Sequence, residues 1–167
     1  MASHSDLEKV WFVVSPQNPF KKKQKLLHEF DRYDMVRAAI HDNYNLDVTD
    51  VEFTMPRPSY TVDTLTYLSD KFPDHQFKLI IGSDNLPSFH KWKNHEVILN
   101  NYGLYVYVRP GNKKHALMDH GKVTVVEAPL LDISATYIRR CVKNGKSIRY
   151  LVPEAVEALI EGKKFYQ

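Results

Sequence analysis

Two short runs along the chain are apolar almost throughout: Val10 to Val14, and Phe77, Leu79, Ile80 and Ile81. The first stops at Ser15-Pro16 and the second at Gly82. Apolar stretches of that length, bounded by turn signals, predict strands buried on both faces. Between them the period changes. Tyr33, Val36 and Ile40 recur at helical spacing with Arg32, Asp34 and Arg37 between, which predicts a helix starting near Asp31. Leu46, Val48, Val51 and Phe53 predict one or two short strand pieces, and Pro56 and Pro58 then break the chain. A second helix opens at Ser59-Tyr60-Thr61, with Val62, Leu65, Leu68 and Phe72 as its apolar stripe and Ser59 or Thr61 as its cap.

Beyond Gly82 come short helices holding Leu86, Phe89, Val97, Ile98 and Leu99, then strands at Leu104–Val108 and Val123–Val126. Asp132 to Thr136 leads into a helix closed by Asn144-Gly145, and a last helix starts at Pro153. Strands alternate with helices, so one α/β domain over residues 1–167, a mostly parallel sheet covered by helices, is expected.

Composition adds limits. The charge of +3 suits an anionic small molecule and is too mild to argue for nucleic acid. No apolar run is long enough to cross a bilayer, so neither membrane nor nucleic acid is an expected partner. Cys141 is the only cysteine, which excludes an internal disulfide and points to a reducing cytoplasm. The eight histidines show no zinc-site spacing, so no metal bound directly by protein is expected.

The chemistry gathers at strand ends. In open α/β sheets, ligands lie beyond the carboxyl ends of the strands. There Gly82 lets the backbone turn or a ligand approach closely. Either Asp84 offers a charge and Trp92 a flat ring, or Ser83 or Asp84 caps the next helix and Trp92 is core. A lysine-rich loop, Lys21, Lys22, Lys23 and Lys25, follows the first strand. Such a run is commonly a solvated surface, but this position favours contact with phosphate. The Ser134 turn, at a helix amino terminus, is a ready anion site.

Five pieces in order carry a resemblance: Pro58-Ser59-Tyr60-Thr61 with Asp63-Thr64-Leu65, Ile80 to Asp84 with Trp92, Arg109-Pro110-Gly111, Ile133 to Arg139, and Leu151-Val152-Pro153. Together they resemble bacterial nicotinate-nucleotide adenylyltransferases of the nucleotidyltransferase superfamily. The resemblance implies a Rossmann-like doubly wound sheet and a reaction in NAD biosynthesis. AMP would pass from ATP to nicotinate mononucleotide, with Mg²⁺ accompanying ATP. It implies an ATP site of Gly82, Asp84, Ile133, Ser134, Thr136 and Arg139, with Ser134 and Arg139 stabilising the transferred phosphate. The nicotinate-nucleotide site would hold Thr61, Asp84, Trp92, Lys21 and Arg109. Thr61 would meet the nicotinate carboxylate through its backbone N–H, and Trp92 would stack on the ring. A homo-oligomer is compatible with the resemblance.

The chain also departs from the pattern. The family opens with a strand and a G-x-F-x-P-x-H-x-G-H loop whose histidines contact the ATP phosphates, and none of the 167 residues forms that motif. Lys93 stands where relatives show an aromatic, and Pro19-Phe20-Lys21 replaces a Pro-Pro-His tripeptide. Met1 to Leu7 reads as the tail of the first helix, so the first strand and most of that helix are expected to be absent. A sheet of order 3-2-1-4-5 would then lack its central strand, leaving a gap beside Val10–Val14 and Phe77–Ile81 and impairing catalysis. The competing readings are another small-substrate nucleotidyltransferase such as one acting on phosphopantetheine, a non-catalytic nucleotide-binding remnant, and an RNA-binding module using Lys21 to Lys25.

Overall fold

The computed structural model describes residues 5–16, 26–109, 114–127, 129 and 133–167. Five strands are present among them, all in parallel pairs: β1 (Val10–Val13), β2 (Leu46–Thr49), β3 (Leu79–Gly82), β4 (Leu104–Tyr107) and β5 (Val123–Val126). They form two sheets rather than one, β1-β2 and β3-β4-β5. Among the described residues β1 pairs only with β2 and β3 only with β4, so each keeps one edge without a strand partner. The break lies beside the two strands where the sequence places a gap.

This division corrects one expectation. The β3 run is not buried on both faces: Leu79 and Ile80 are only half-buried, and Phe12 in β1 is 42% exposed. The fully covered strand is β4, with Leu104, Tyr105 and Val106 buried, because it alone lies between two neighbours. Side chains rather than ladder bonds link β1 to the approach of β3. Trp11 meets Phe72 edge-on at 5.1 Å and Phe77 at 5.7 Å, geometries that aromatic pairs favour.

The helices are α1 (Glu29–Ile40), α2 (Thr61–Lys71), the short α3 (Leu86–Phe89) and α4 (His95–Val97), then α5 (Ala135–Lys143) and α6 (Glu154–Gly162). Two hydrophobic cores result. In the first, Val62 and Leu65 of α2 pack on Ile81, Leu86, Phe89, Ile98, Leu104 and Val106. The second joins Ile138 and Cys141 of α5 to Ile148, Val156, Ile160 and Phe165, with Met35, Ala38 and Ala39 of α1 against it. Cys141 is a buried packing residue there.

Helix α1 begins two residues before Asp31 and has no fully buried residue. It is covered on two sides, by α6 through Met35 and Ala38 and by Phe53 through Tyr33, so no single stripe decides its packing. Val51 and Phe53 do not extend a strand. They lie in a 3-10 turn whose Phe53 N–H bonds to Asp50 O at 2.7 Å. Ser5 to Leu7, expected as a helix tail, form bends instead. So short a segment cannot nucleate a helix alone, and Asp6 is held by a 2.6 Å bond from the Tyr105 hydroxyl. Pro153 caps α6 rather than starting its first turn.

Candidate active site

Helix α2 starts at Thr61, as the sequence implies, but neither expected side chain caps it: Tyr60 occupies the cap position and makes no side-chain cap bond. Ser59 has another task. Its hydroxyl donates to Glu52 at 2.6 Å, as does that of Ser15 at 2.6 Å, and Thr64 donates to the other carboxylate oxygen at 2.7 Å. Glu52 is buried, and three hydroxyl donors replace the water it has lost. The carboxylate thereby joins the segment after β1, the segment after β2 and the first turns of α2. It fixes where the amino end of α2 points. The Asp63 and Thr64 N–H groups already bond to Tyr60 O, at 2.9 and 3.1 Å. With no side-chain cap, the N–H groups of Thr61 and Val62 are those without an intrahelical acceptor, and the helix dipole favours an anion there.

A second cluster lies at the carboxyl ends of β3 and β4. Gly82 pairs in register with Tyr107, and Arg109 follows two residues later. The Arg109 N–H bonds to Ser83 Oγ at 3.0 Å, while its guanidinium donates to the Tyr107 hydroxyl at 2.6 Å and to Asp84 Oδ2 at 3.3 Å. The Tyr107 bond is the main cause that holds the Arg109 pKa above its ordinary value. Gly82 is needed here for space, not for turning: its φ of −78° is open to any residue. A Cβ would run into Asp84 Oδ1 and press on Arg109 Nε at 3.1 Å and Tyr107 at 3.2 Å.

Trp92 is half-buried on the first core, its ring 5.7 Å from that of Phe89. Lys93 beside it reaches back to α2. Its ammonium bonds to both oxygens of Asp63, at 3.0 and 2.8 Å, and lies 4.8 Å from the centroid of the Tyr60 ring. Thr61 and Trp92 therefore belong to one neighbourhood, tied by a pair that sequence reading did not anticipate.

The third cluster is on α5. Ser134 caps that helix, its Oγ accepting from the Tyr137 N–H at 3.1 Å. Among the described residues the Ser134 hydroxyl proton has no acceptor, so it can donate outward. Arg139 folds back on the first turn, its guanidinium 3.4 Å from Thr136 Oγ1 and 5.9 Å from the Tyr166 ring centroid. Burial raises the Tyr166 pKa, and Arg139 opposes that rise. Ser134, Thr136 and the 40% exposed Ile133 face solvent.

Gly82, Asp84 and Arg109 are thus brought together, as are Thr61 with Trp92, and Ser134 with Thr136 and Arg139. No hydrogen bond or ion pair among the described residues joins the α5 cluster to the others. Lys21, Pro110 and Gly111 lie outside the described residues. Among those described, no three His, Cys, Asp or Glu side chains gather to hold a metal ion. Glu52, Tyr107 and the Asp63–Lys93 pair were missed by sequence reading. Only the register of a parallel pair puts Tyr107 beside Gly82, and an isolated sequence gives no such register.

Comparison with known proteins matches the family described as Cytidylyltransferase-like over residues 1–141. A protein of Cytophaga hutchinsonii named "Probable nicotinate-nucleotide adenylyltransferase" is 62% identical, over 99% of this chain and 86% of its own length. A protein of the same name from Flavobacterium psychrophilum is 46% identical over 100% of this chain and 88% of its own length. Among solved structures, the nicotinic acid mononucleotide adenylyltransferase of Plasmodium falciparum complexed with NaAD superposes with a TM-score of 0.74. It covers 95% of this chain and 82% of its own at 17% identity, a likeness of fold.

Proposed function

The chain belongs to the nicotinate-nucleotide adenylyltransferase family, and from that premise we propose how its own residues serve the transfer of AMP from ATP to nicotinate mononucleotide. The products are nicotinate adenine dinucleotide and pyrophosphate. The acceptor's phosphate oxygen forms a bond to the α-phosphorus of ATP as the bond from that phosphorus to the bridging oxygen of pyrophosphate breaks. Both partners are anions, so repulsion must be cancelled and geometry fixed. Positioning of this kind can supply ~7–11 kcal/mol, and each preorganised donor roughly 3–4 kcal/mol.

The observation that carries this reading is the floor over Gly82, where Asp84, Arg109 and Tyr107 fill the space a side chain would take. Asp84 there accepts from ligand hydroxyls, and Arg109 meets the mononucleotide phosphate with Lys21. The amino end of α2 at Thr61 receives the nicotinate carboxylate, and Trp92 stacks on its ring. Ile133, Ser134, Thr136 and Arg139 hold ATP, the last three on its phosphates. Ser134 and Arg139 support the charge that develops during transfer. ATP would bring Mg²⁺ with it, which would offset phosphate charge.

The partners on this reading are small nucleotides. No helix among the described residues is long and apolar enough to cross a membrane, and a reducing cytoplasm suits a chain whose only cysteine is buried. The 167 residues hold no histidine loop of the family type, so this chain by itself should bind both nucleotides yet release pyrophosphate slowly. Calorimetry with each nucleotide, run beside a pyrophosphate-release assay, tests both halves. Absence of nicotinate mononucleotide binding overturns the site. Release at rates normal for the family overturns the impairment.

A further inference from the structure

The anion site at the start of α2 carries a built-in conflict. Asp63 lies in the first turn of that helix, where a negative charge is favoured by the same dipole that would attract a ligand carboxylate. A second carboxylate arriving there meets like charge. Lys93 comes from outside the helix, directly after Trp92, and engages both Asp63 oxygens. Tyr60 at the cap position lies 4.8 Å away and steadies the ammonium through its ring. The pair is partly open to water, with the side chains of Lys93 and Asp63 43% and 41% exposed, so a ligand can reach it. An ammonium has three N–H donors. Asp63 takes two of them, and the third is uncommitted among the described residues.

We propose that the Lys93–Asp63 pair sets the discrimination between the acid and the amide forms of the pyridine mononucleotide. Lys93 cancels the repulsion that Asp63 would exert on the nicotinate carboxylate and turns its remaining N–H toward it. A carboxamide carries no charge for Asp63 to repel, its carbonyl accepts only a weaker, uncharged bond from the ammonium, and its NH₂ accepts none. The proposal rests on the reading that the amino end of α2 receives the carboxylate.

The test is calorimetric titration of the 167-residue chain and its variants with nicotinate mononucleotide and nicotinamide mononucleotide. Lys93→Met keeps the apolar stem and removes the charge. It should weaken acid binding roughly tenfold and change amide binding by less than about twofold. Lys93→Arg should keep the preference. Asp63→Asn should tighten acid binding by about threefold or more, and Lys93→Met with Asp63→Asn should recover most of what Lys93→Met loses. Equal weakening of acid and amide in Lys93→Met, or no recovery in the double variant, overturns the proposal alone. A starting chain without preference for the acid overturns it together with the reading of the α2 terminus.

Discussion

The two ends of the proposed site are built differently. Around Gly82 and Thr61, the charged groups are already bonded to one another: Arg109 to Asp84 and Tyr107, Lys93 to Asp63, and Glu52 to three hydroxyls. On α5 they are held more loosely, Arg139 making a 3.4 Å contact to Thr136 and lying against Tyr166, whose ring centroid is 5.9 Å away. The first region rests on the core of α2, β3 and β4, and the second on the core shared by α1, α5 and α6. The contrast teaches where recognition is preorganised. A ligand entering the first region exchanges one set of fixed partners for another and loses little entropy. One entering the second must order Arg139 itself.

Substitutions can break or sharpen this contrast. The largest effect is expected from Glu52→Ala, which removes the acceptor shared by the buried Ser59 and Thr64 and the half-buried Ser15 and should cost about 3 kcal/mol in urea unfolding. It should weaken nicotinate mononucleotide binding while leaving ATP binding nearly intact, because α5 stands on the other core. A variant that weakens both equally would erase the distinction between the regions. Gly82→Ala comes next: the added methyl must push aside the half-exposed Asp84 and Arg109 side chains, which should cost about 1 kcal/mol and weaken nicotinate mononucleotide binding by breaking up the floor. Wild-type stability together with an undisturbed affinity would show that the floor is looser than drawn.

Arg139→Ala should leave stability unchanged and weaken ATP binding by about tenfold, the range of one charge-assisted bond. Calorimetry checks it, and a loss confined to nicotinate mononucleotide would reverse the assignment of the ends. The smallest effect is a pH dependence remote from both. The Tyr105 hydroxyl is the main cause that holds the Asp6 carboxyl below its ordinary pKa. A lowered acid contributes stability that is present above its unfolded pKa and disappears as the pH falls through the folded one. Tyr105→Phe should therefore flatten the acid side of the stability profile. At the alkaline side, Asp31 first and then Asp34 raise the pKa of Lys163. That contribution is complete below the unfolded value and is lost as the pH rises through the folded one.

Sequence made the parallel α/β class legible because apolar runs and helical stripes alternate clearly, and the local geometry at the start of α5 was legible too. Ser134 is a local cap, and Arg139 is close enough in sequence to reach the Thr136 hydroxyl. What escaped was non-local. Glu52 looks like one more surface acid until Ser15, Ser59 and Thr64 converge on it from three segments. Lys93 looks like a departure from a pattern until Asp63, thirty residues earlier, is found beneath it. The exposure of β3 was misjudged for a similar reason: an apolar run reports what could be covered, while the number of neighbouring strands decides what is.

The division into two sheets has a mechanical consequence. Among the described residues no main-chain ladder crosses from β1 to β3, so the seam between them is held by side chains: the rings of Trp11, Phe72 and Phe77, the Tyr105–Asp6 bond and the hydroxyls on Glu52. Interlocked rings slide and re-pack more readily than a row of amide bonds shears. The seam is therefore the natural plane along which the two sheets yield first under heat or load.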